Sequence, residues 1–293
     1  MHMGWLMAIA TLFIGPYFGE FGHELGFAGM ARYRARRPVP DAAEYERATR
    51  AREAVQAPSA YGKVIVCTRP ARHALYADFA TEFQPHSIEC EGVIAWATAA
   101  TAPSPKLVAR YVPSDAQRFA PVEYTGSHDA LWHKYGRRRN EYADAVVIHA
   151  RSRPHCPERN WSQRNWNALA RRMFREGVAK RIICVGLRRH ALAVEGALDM
   201  RDAPLATTMD VLASARWAVG PSSGPLHLAT FCGCPVLVWC GGGASERDRT
   251  RKRYIVEWNP FKTFVHAQRH ASWQPSLDLV WTWTAAFVQE LGA

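Results

Sequence analysis

Two serines and a glycine close an apolar run at Gly220-Pro221-Ser222-Ser223-Gly224, and His227 follows within one helical turn. A helix that starts here leaves its first backbone N–H groups without intrahelical partners, and the helix dipole adds partial positive charge at the same end. The hydroxyl of Ser222 or Ser223 can donate to a phosphate, and His227 shares the face of that first turn. The same residues also describe an ordinary serine N-cap with a buried histidine bonded to backbone. Two further clusters move the reading toward an anion. Arg151-Ser152-Arg153 and Arg159-Asn160-Trp161 follow one apolar run, and Gly186 with Arg188, Arg189 and His190 follows another.

The elements that must position these clusters alternate in type. "DAVVIHA" (144–150), "RIICVG" (181–186), "WAVG" (217–220) and "CPVLVWCG" (234–241) read as buried strands. Between them, "SQRNWNALARRMFREG" (162–177) is an amphipathic helix closed by Gly177, and "TTMDVLASA" and "GPLHLATFCG" are shorter helices. "HALAVEGAL" (190–198) is expected to form a helical turn or two, and residues 276–293 a closing helix. Strands alternating with helices imply a parallel sheet covered on both faces, with ligands bound where strands end and helices begin.

The first half carries the same grammar less clearly. Ala8 to Ile14 reads as a strand, Gly15 to Leu25 ("GPYFGEFGHEL") as a loop opening a helix, and "YGKVIVCT" as a second strand. Residues 39–55 read as a surface helix or loop, and 97–121 as irregular. The pattern resets near Glu141 to Asp144, which predicts two α/β domains, residues 1–143 and 144–293, with the last helix able to pack back on the first domain.

Length and composition are those of a globular protein: 293 residues, 48% hydrophobic and 22% charged. The net charge is +11, and Arg supplies 31 of the 37 basic residues. The planar guanidinium matches phosphate and carboxylate, so the bias suits an anionic ligand or partner; a GC-rich genome would produce the same bias. Seven cysteines without framework spacing read as free thiols, and Cys232-Gly-Cys234 has no second metal-like pair nearby. Trp5 to Ile14 is too short to span a bilayer and lacks a signal peptide's basic leader and cleavage site. A reducing cytoplasm is the expected location.

Taken in order and spacing, these motifs resemble a known family. "GPSSGPLHLATFCGCPVLVWCG" is similar to the Asp-Ser-Gly-x-x-His-x-Ala-x(4)-Gly-x-Pro segment of the heptosyltransferase-like family 9 glycosyltransferases. "RNWSQRNWNALARRMFREG" with "RIICVG" resembles their Lys-x-Trp-x(4)-Trp-x-x-Leu segment and following strand. The resemblance implies a GT-B fold, two Rossmann-like domains facing a central cleft, with an acceptor-side first domain and a nucleotide-sugar-binding second one. It implies donor-diphosphate contacts from Ser223, Gly224 and His227 and charge compensation from Arg159 and Arg151; Ser222 and Gly186 are expected beside the donor from their place at the strand ends. Ser222 stands where the family has Asp, and Arg159 where it has Lys.

The family's first strand-to-helix loop carries an acidic base after a glycine. Gly19-Glu20 matches it with Glu for Asp, and Glu24 is the second candidate; either residue could instead only stabilise a helix N-terminus. The expected reaction is an inverting sugar transfer from a nucleotide-sugar co-substrate, in which a carboxylate deprotonates the acceptor hydroxyl and the diphosphate leaves from the opposite face. The chain has no Asp-x-Asp, so no metal and no further cofactor are expected.

The Gly-Glu-Phe-Gly-x-Glu-Leu loop resembles a branch associated with phages and environmental sequences, and phage GT-B enzymes glycosylate hydroxymethylated pyrimidines in DNA. Two basic runs could follow a nucleic-acid backbone: Arg137, Arg138 and Arg139, and the run Arg247 to Arg253 with Arg251 and Arg253. Trp132, Tyr135, Tyr254 and Trp258 lie nearby and could stack a base. Each run could equally be a solvated loop. The acceptor expected first is therefore hydroxymethylated DNA, in a host cytoplasm if phage-encoded. The alternatives are an anionic surface saccharide such as lipopolysaccharide core, and a non-catalytic sugar-nucleotide or nucleic-acid binder of the same fold. An epimerase, which would need no acceptor, is a further class. "YIVEWNPFKT" (254–263) is expected to line the cleft.

Overall fold

A computed structural model of the protein describes residues 11–15, 25, 28, 29, 31, 32, 35, 61–86, 117–119 and 133–292. The chain divides into two compact units, residues 1–132 and 133–293. In the first, strands β1 (Thr11–Ile14), β2 (Lys63–Thr68), β3 (Glu82–Pro85) and β4 (Gln117–Phe119) form a parallel sheet in the order β3-β2-β1-β4. Leu12, Phe13 and Ile14 are wholly buried beside Val64, Ile65 and Val66. Buried Arg32 lies on a helical segment and pairs with Asp78 at 2.7 Å, so its charge is matched. Gln117–Phe119, expected to be irregular, is a short strand because its backbone extends the ladder alongside Leu12 to Ile14.

The second unit holds a six-stranded parallel sheet: β5 (Ala145–Ile148), β6 (Arg181–Cys184), β7 (Leu198–Asp199), β8 (Trp217–Pro221), β9 (Val236–Cys240) and β10 (Val265–Arg269), ordered β10-β9-β8-β5-β6-β7. The chain runs outward from β5 to β7, returns to the other side of β5 at β8, and runs outward again. The order therefore reverses between β5 and β8, the place where open α/β sheets receive ligands.

Helix α1 (Gln163–Arg175) forms because Trp166, Leu169, Ala170 and Met173 recur on one face while Arg164, Arg171 and Arg175 face water. Ser162 caps it by accepting the Asn165 N–H, and Gly177 leaves it at φ +69°. Trp161, Trp166, Trp217 and Trp239 are fully buried in the core beneath it. Helices α2 (Leu205–Ser214), α3 (Gly224–Cys232), α4 (Ala244–Lys252) and α5 (Leu277–Leu291) complete the unit, and a π-helical turn, Arg253–Glu257, continues α4.

The expected helix at 190–198 is not there. His190 ends a single 3-10 turn, Ala191 bridges Arg151 in antiparallel sense, and Gly196 at φ +77° turns the chain into β7. Pairing with the segment after β5 satisfies these backbone groups better than one helical turn could. Cys67, Cys156, Cys184, Cys232, Cys234 and Cys240 are free thiols. Among the described residues no helix is long and apolar enough to cross a membrane.

Candidate active site

The polar residues at the ends of β5 and β8 meet across the reversal point. β5 is followed by His149, which is 4% exposed, and its Nδ1 lies 2.8 Å from Ser223 Oγ. Ser223 is the N-terminal flanking residue of α3, yet its side chain makes no capping bond to the helix. The first intrahelical bond runs from the His227 N–H to the Ser223 carbonyl at 3.1 Å. Pro225 has no N–H, so the N–H groups of Gly224 and Leu226 form the open end of the helix. Ser223 therefore presents its hydroxyl at this end and is held there from the side by histidine.

Tyr254 fixes the backbone behind that hydroxyl. The Ser223 N–H donates to the Tyr254 phenolic oxygen at 3.1 Å, and the phenol donates to the Ser223 carbonyl at 3.2 Å. Burial pushes the phenol well above its ordinary pKa, so it stays a donor. His227 stacks on the Tyr254 ring with centroids 3.9 Å apart and meets Trp258 edge-on at 4.5 Å. His227 is 6% exposed and belongs to this aromatic packing.

The cations have different roles. Arg159 Nη2 donates to the Ser222 carbonyl at 2.6 Å, which brings its guanidinium to the residue before Ser223. Arg151 is 3% exposed and donates to the Cys156 and His155 carbonyls at 3.0 and 2.6 Å, and to Asn160 Oδ1. It braces the loop that carries Arg159, and burial lowers its pKa to about 10, with Arg159 and Arg153 adding to the shift. Ser222 is 4% exposed and its N–H donates to the Trp239 carbonyl. Gly186, at φ +116°, passes His149 so closely that a Cβ would lie 2.9 Å from the ring. Gly220 does the same beneath the His149 carbonyl, also at 2.9 Å.

Burial lowers the His149 pKa from 6.5 to about 3, with Arg151, Arg153 and His190 contributing in the same direction. The ring is neutral at physiological pH and engages Ser223 without adding charge. An unfolded chain binds that proton near pH 6.5, whereas the folded chain resists it down to about pH 3. The stabilising contribution is therefore complete above pH 6.5 and declines as pH falls, by about 1.4 kcal/mol per pH unit. Urea unfolding between pH 7 and 4 should show this slope, and His149→Asn should flatten it. An unchanged slope in the variant would remove His149 from the account.

Glu20 and Glu24 lie outside the described residues. Arg137, Arg138, Arg139 and Arg251 are exposed and Arg253 is half-buried. Arg139 is paired with Asp210 at 3.0 Å, and Arg253 covers the Trp258 ring at 5.0 Å. The expected base-stacking platforms are not on the surface: Tyr135, Tyr254 and Trp258 are at most 3% exposed because they pack against Phe231 and His227. Trp132 lies outside the described residues. Sequence reasoning passed over His149, whose only signal was a polar ring closing a buried strand, and gave Tyr254 no supporting role. Among the described residues no group of three or more His, Cys, Asp or Glu is placed to hold a metal ion.

No family model and no curated protein matches the chain. A solved structure of a glycosyl transferase family 9 protein from Veillonella parvula DSM 2008 does, with a TM-score of 0.55 at 9% identity, covering 97% of this chain and 98% of that one. The two share a fold. It is a mixed α/β fold with parallel sheets. Two Escherichia coli structures are similar at lower scores: ADP-heptose lps heptosyltransferase II (15% identity, TM-score 0.47, coverage 97% and 100%) and a heptosyltransferase with ADP (16%, 0.42, 96% and 99%).

Proposed function

We propose that the protein is an inverting glycosyltransferase that moves a sugar from a nucleotide-sugar donor to a hydroxyl of an anionic acceptor. The observation that carries this reading is the open N-terminus of α3 at the sheet's reversal point, with the Ser223 hydroxyl presented beside it and Arg159 one residue away. The donor diphosphate sits at this end. In this reading the second unit, residues 133–293, is the donor domain and the first, residues 1–132, is the acceptor side.

Glu20, with Glu24 as the alternative, takes the acceptor proton as its oxygen bonds to the anomeric carbon. The bond from that carbon to the phosphate oxygen breaks, and its electron pair leaves on the diphosphate. The Gly224 and Leu226 N–H groups, the Ser223 hydroxyl and Arg159 stabilise the charge that develops there. This chemistry needs no metal.

Hydroxymethylated pyrimidine in DNA remains one acceptor reading, supported by the exposed arginines at 137–139 and at 251. Burial of Tyr135, Tyr254 and Trp258 favours the other, an anionic surface saccharide, because three of the four aromatics that would stack a base are inside the protein.

A thermal-shift panel of nucleotide sugars tests the donor site. A ligand at 100 times its Kd adds about 2.7 kcal/mol and raises Tm. Glu20→Ala should keep that shift and lose transfer to acceptor, read by mass spectrometry with hydroxymethylated DNA and lipid-core saccharide side by side. If no nucleotide sugar shifts Tm and no product forms, the reading fails. Retention of transfer in both Glu20→Ala and Glu24→Ala would displace the base.

A further inference from the structure

The guanidinium of Arg159 has one anchor on its own side of the site, the Ser222 carbonyl, and its Nε has no hydrogen-bond partner. What else holds it comes from more than a hundred residues away in sequence. Trp273, 4% exposed, places its ring under the guanidinium at 4.2 Å. The neighbouring Gln274 reaches back along the Arg159 loop, its Nε2 donating to the Glu158 carbonyl at 2.8 Å and to the Asn160 carbonyl at 2.7 Å. One residue further, the Pro275 carbonyl accepts from Trp161 Nε1 at 2.9 Å. Three consecutive residues therefore bracket Arg159 on both sides of its backbone and beneath its side chain.

The bracket is itself fixed. The Trp273 carbonyl accepts from Trp239 Nε1 at 3.3 Å, tying it to β9. Gly241, just past β9, leaves the room: a Cβ there would lie 2.6 Å from both Trp273 Cγ and its backbone nitrogen. An arginine held by one carbonyl and loose elsewhere samples many rotamers. Stacking on a buried indole restricts the guanidinium plane while leaving its N–H edge for an anion.

We propose that Trp273 and Gln274 are positioning residues for the Arg159 cation, setting how tightly the site holds a diphosphate. The inference rests on the donor-site reading above. Its test uses the full chain and inorganic pyrophosphate, titrated calorimetrically into wild type, R159Q, W273L, W273F and the double variant W273L/R159Q, each checked for folding by thermal melt. W273L should weaken pyrophosphate binding by about five- to tenfold, as expected for a desolvated cation–π contact. W273F, which keeps an aromatic face, should bind nearly as wild type, and W273L should add nothing in the R159Q background.

Folded W273L with unchanged binding, or the same loss in the absence of Arg159, overturns the proposal and leaves the donor site standing. If wild type binds neither pyrophosphate nor any nucleotide sugar, the donor-site reading itself falls. Should W273L fail to fold, Gln274→Ala carries the same test from an exposed position: weakened pyrophosphate binding that disappears in the R159Q background supports the proposal, and unchanged binding overturns it.

Discussion

Under the proposed function, replacing Arg159 with glutamine should lower glycosyl transfer by about two to three orders of magnitude, the range seen when one preorganised donor to a developing negative charge is removed. The prediction follows from where the guanidinium lies. Its Nη2 reaches the Ser222 carbonyl at 2.6 Å, so the charge sits beside the α3 N-terminus and not in bulk water. A diphosphate leaving group gains charge as the glycosidic bond breaks, so a cation there acts more on the transition state than on the bound donor. Glutamine can keep a hydrogen bond to Ser222 but supplies no charge. Steady-state kinetics should show most of the loss in kcat. Arg159→Lys should recover part of it, since an ammonium restores charge without the planar fork. A folded R159Q protein with wild-type kcat would remove Arg159 from the chemistry.

The second large effect is structural and falls on Gly186→Ala. The backbone there has φ +116°, a conformation that side chains rarely adopt. The new methyl would also lie 2.9 Å from His149 Cδ2, 3.0 Å from its Nε2 and 3.2 Å from the Ala191 Cβ. Strain and overpacking together should cost about 2 to 4 kcal/mol, measured by urea unfolding at pH 7. Gly177→Ala is the control: φ is +69° but nothing lies within 4 Å of the added Cβ. It should lose only the backbone term, about 1 kcal/mol. If both variants lose the same amount, His149 is not crowded by residue 186. If Gly186→Ala alone also weakens nucleotide-sugar binding, the crowding has reached Ser223.

Gly186 also shows what could be read from the sequence and what could not. Its position after "RIICV" marked a strand-to-loop junction, and the structure places it just past β6. Its reason for being glycine is a ring 37 positions earlier, which no local pattern reveals. The central strands were legible because a parallel sheet covered on both faces needs continuous apolar runs, and 145–148, 181–184, 217–221 and 236–240 supply them. The edge strands β3 and β10 were missed because they are partly exposed and read as mixed polarity.

Tyr254 and Trp258 were misread for a similar reason. Aromatics beside a basic run look like a surface for stacking bases, but the π-helical turn at Arg253–Glu257 carries the chain into Trp258, and both aromatic rings are buried against His227. Ser223 was visible from its neighbours. His149, 74 residues before it, was not, because the contact depends on sheet order.

That π-helical turn gives the region between β9 and β10 an unusual sensitivity to length. A π turn holds one residue more than the α-helix it interrupts, so it keeps a widened register that a single deletion would close. Each residue added or removed rotates everything beyond it by about 100° around the helix axis. Tyr254 could keep its identity through such a change and still swing away from Ser223, opening both backbone groups that its hydroxyl now closes. In comparing this chain with relatives, a one-residue gap between Ala244 and Glu257 should therefore count for more than a substitution there. Two proteins that share the tyrosine but differ in that spacing would not share the lock on the serine.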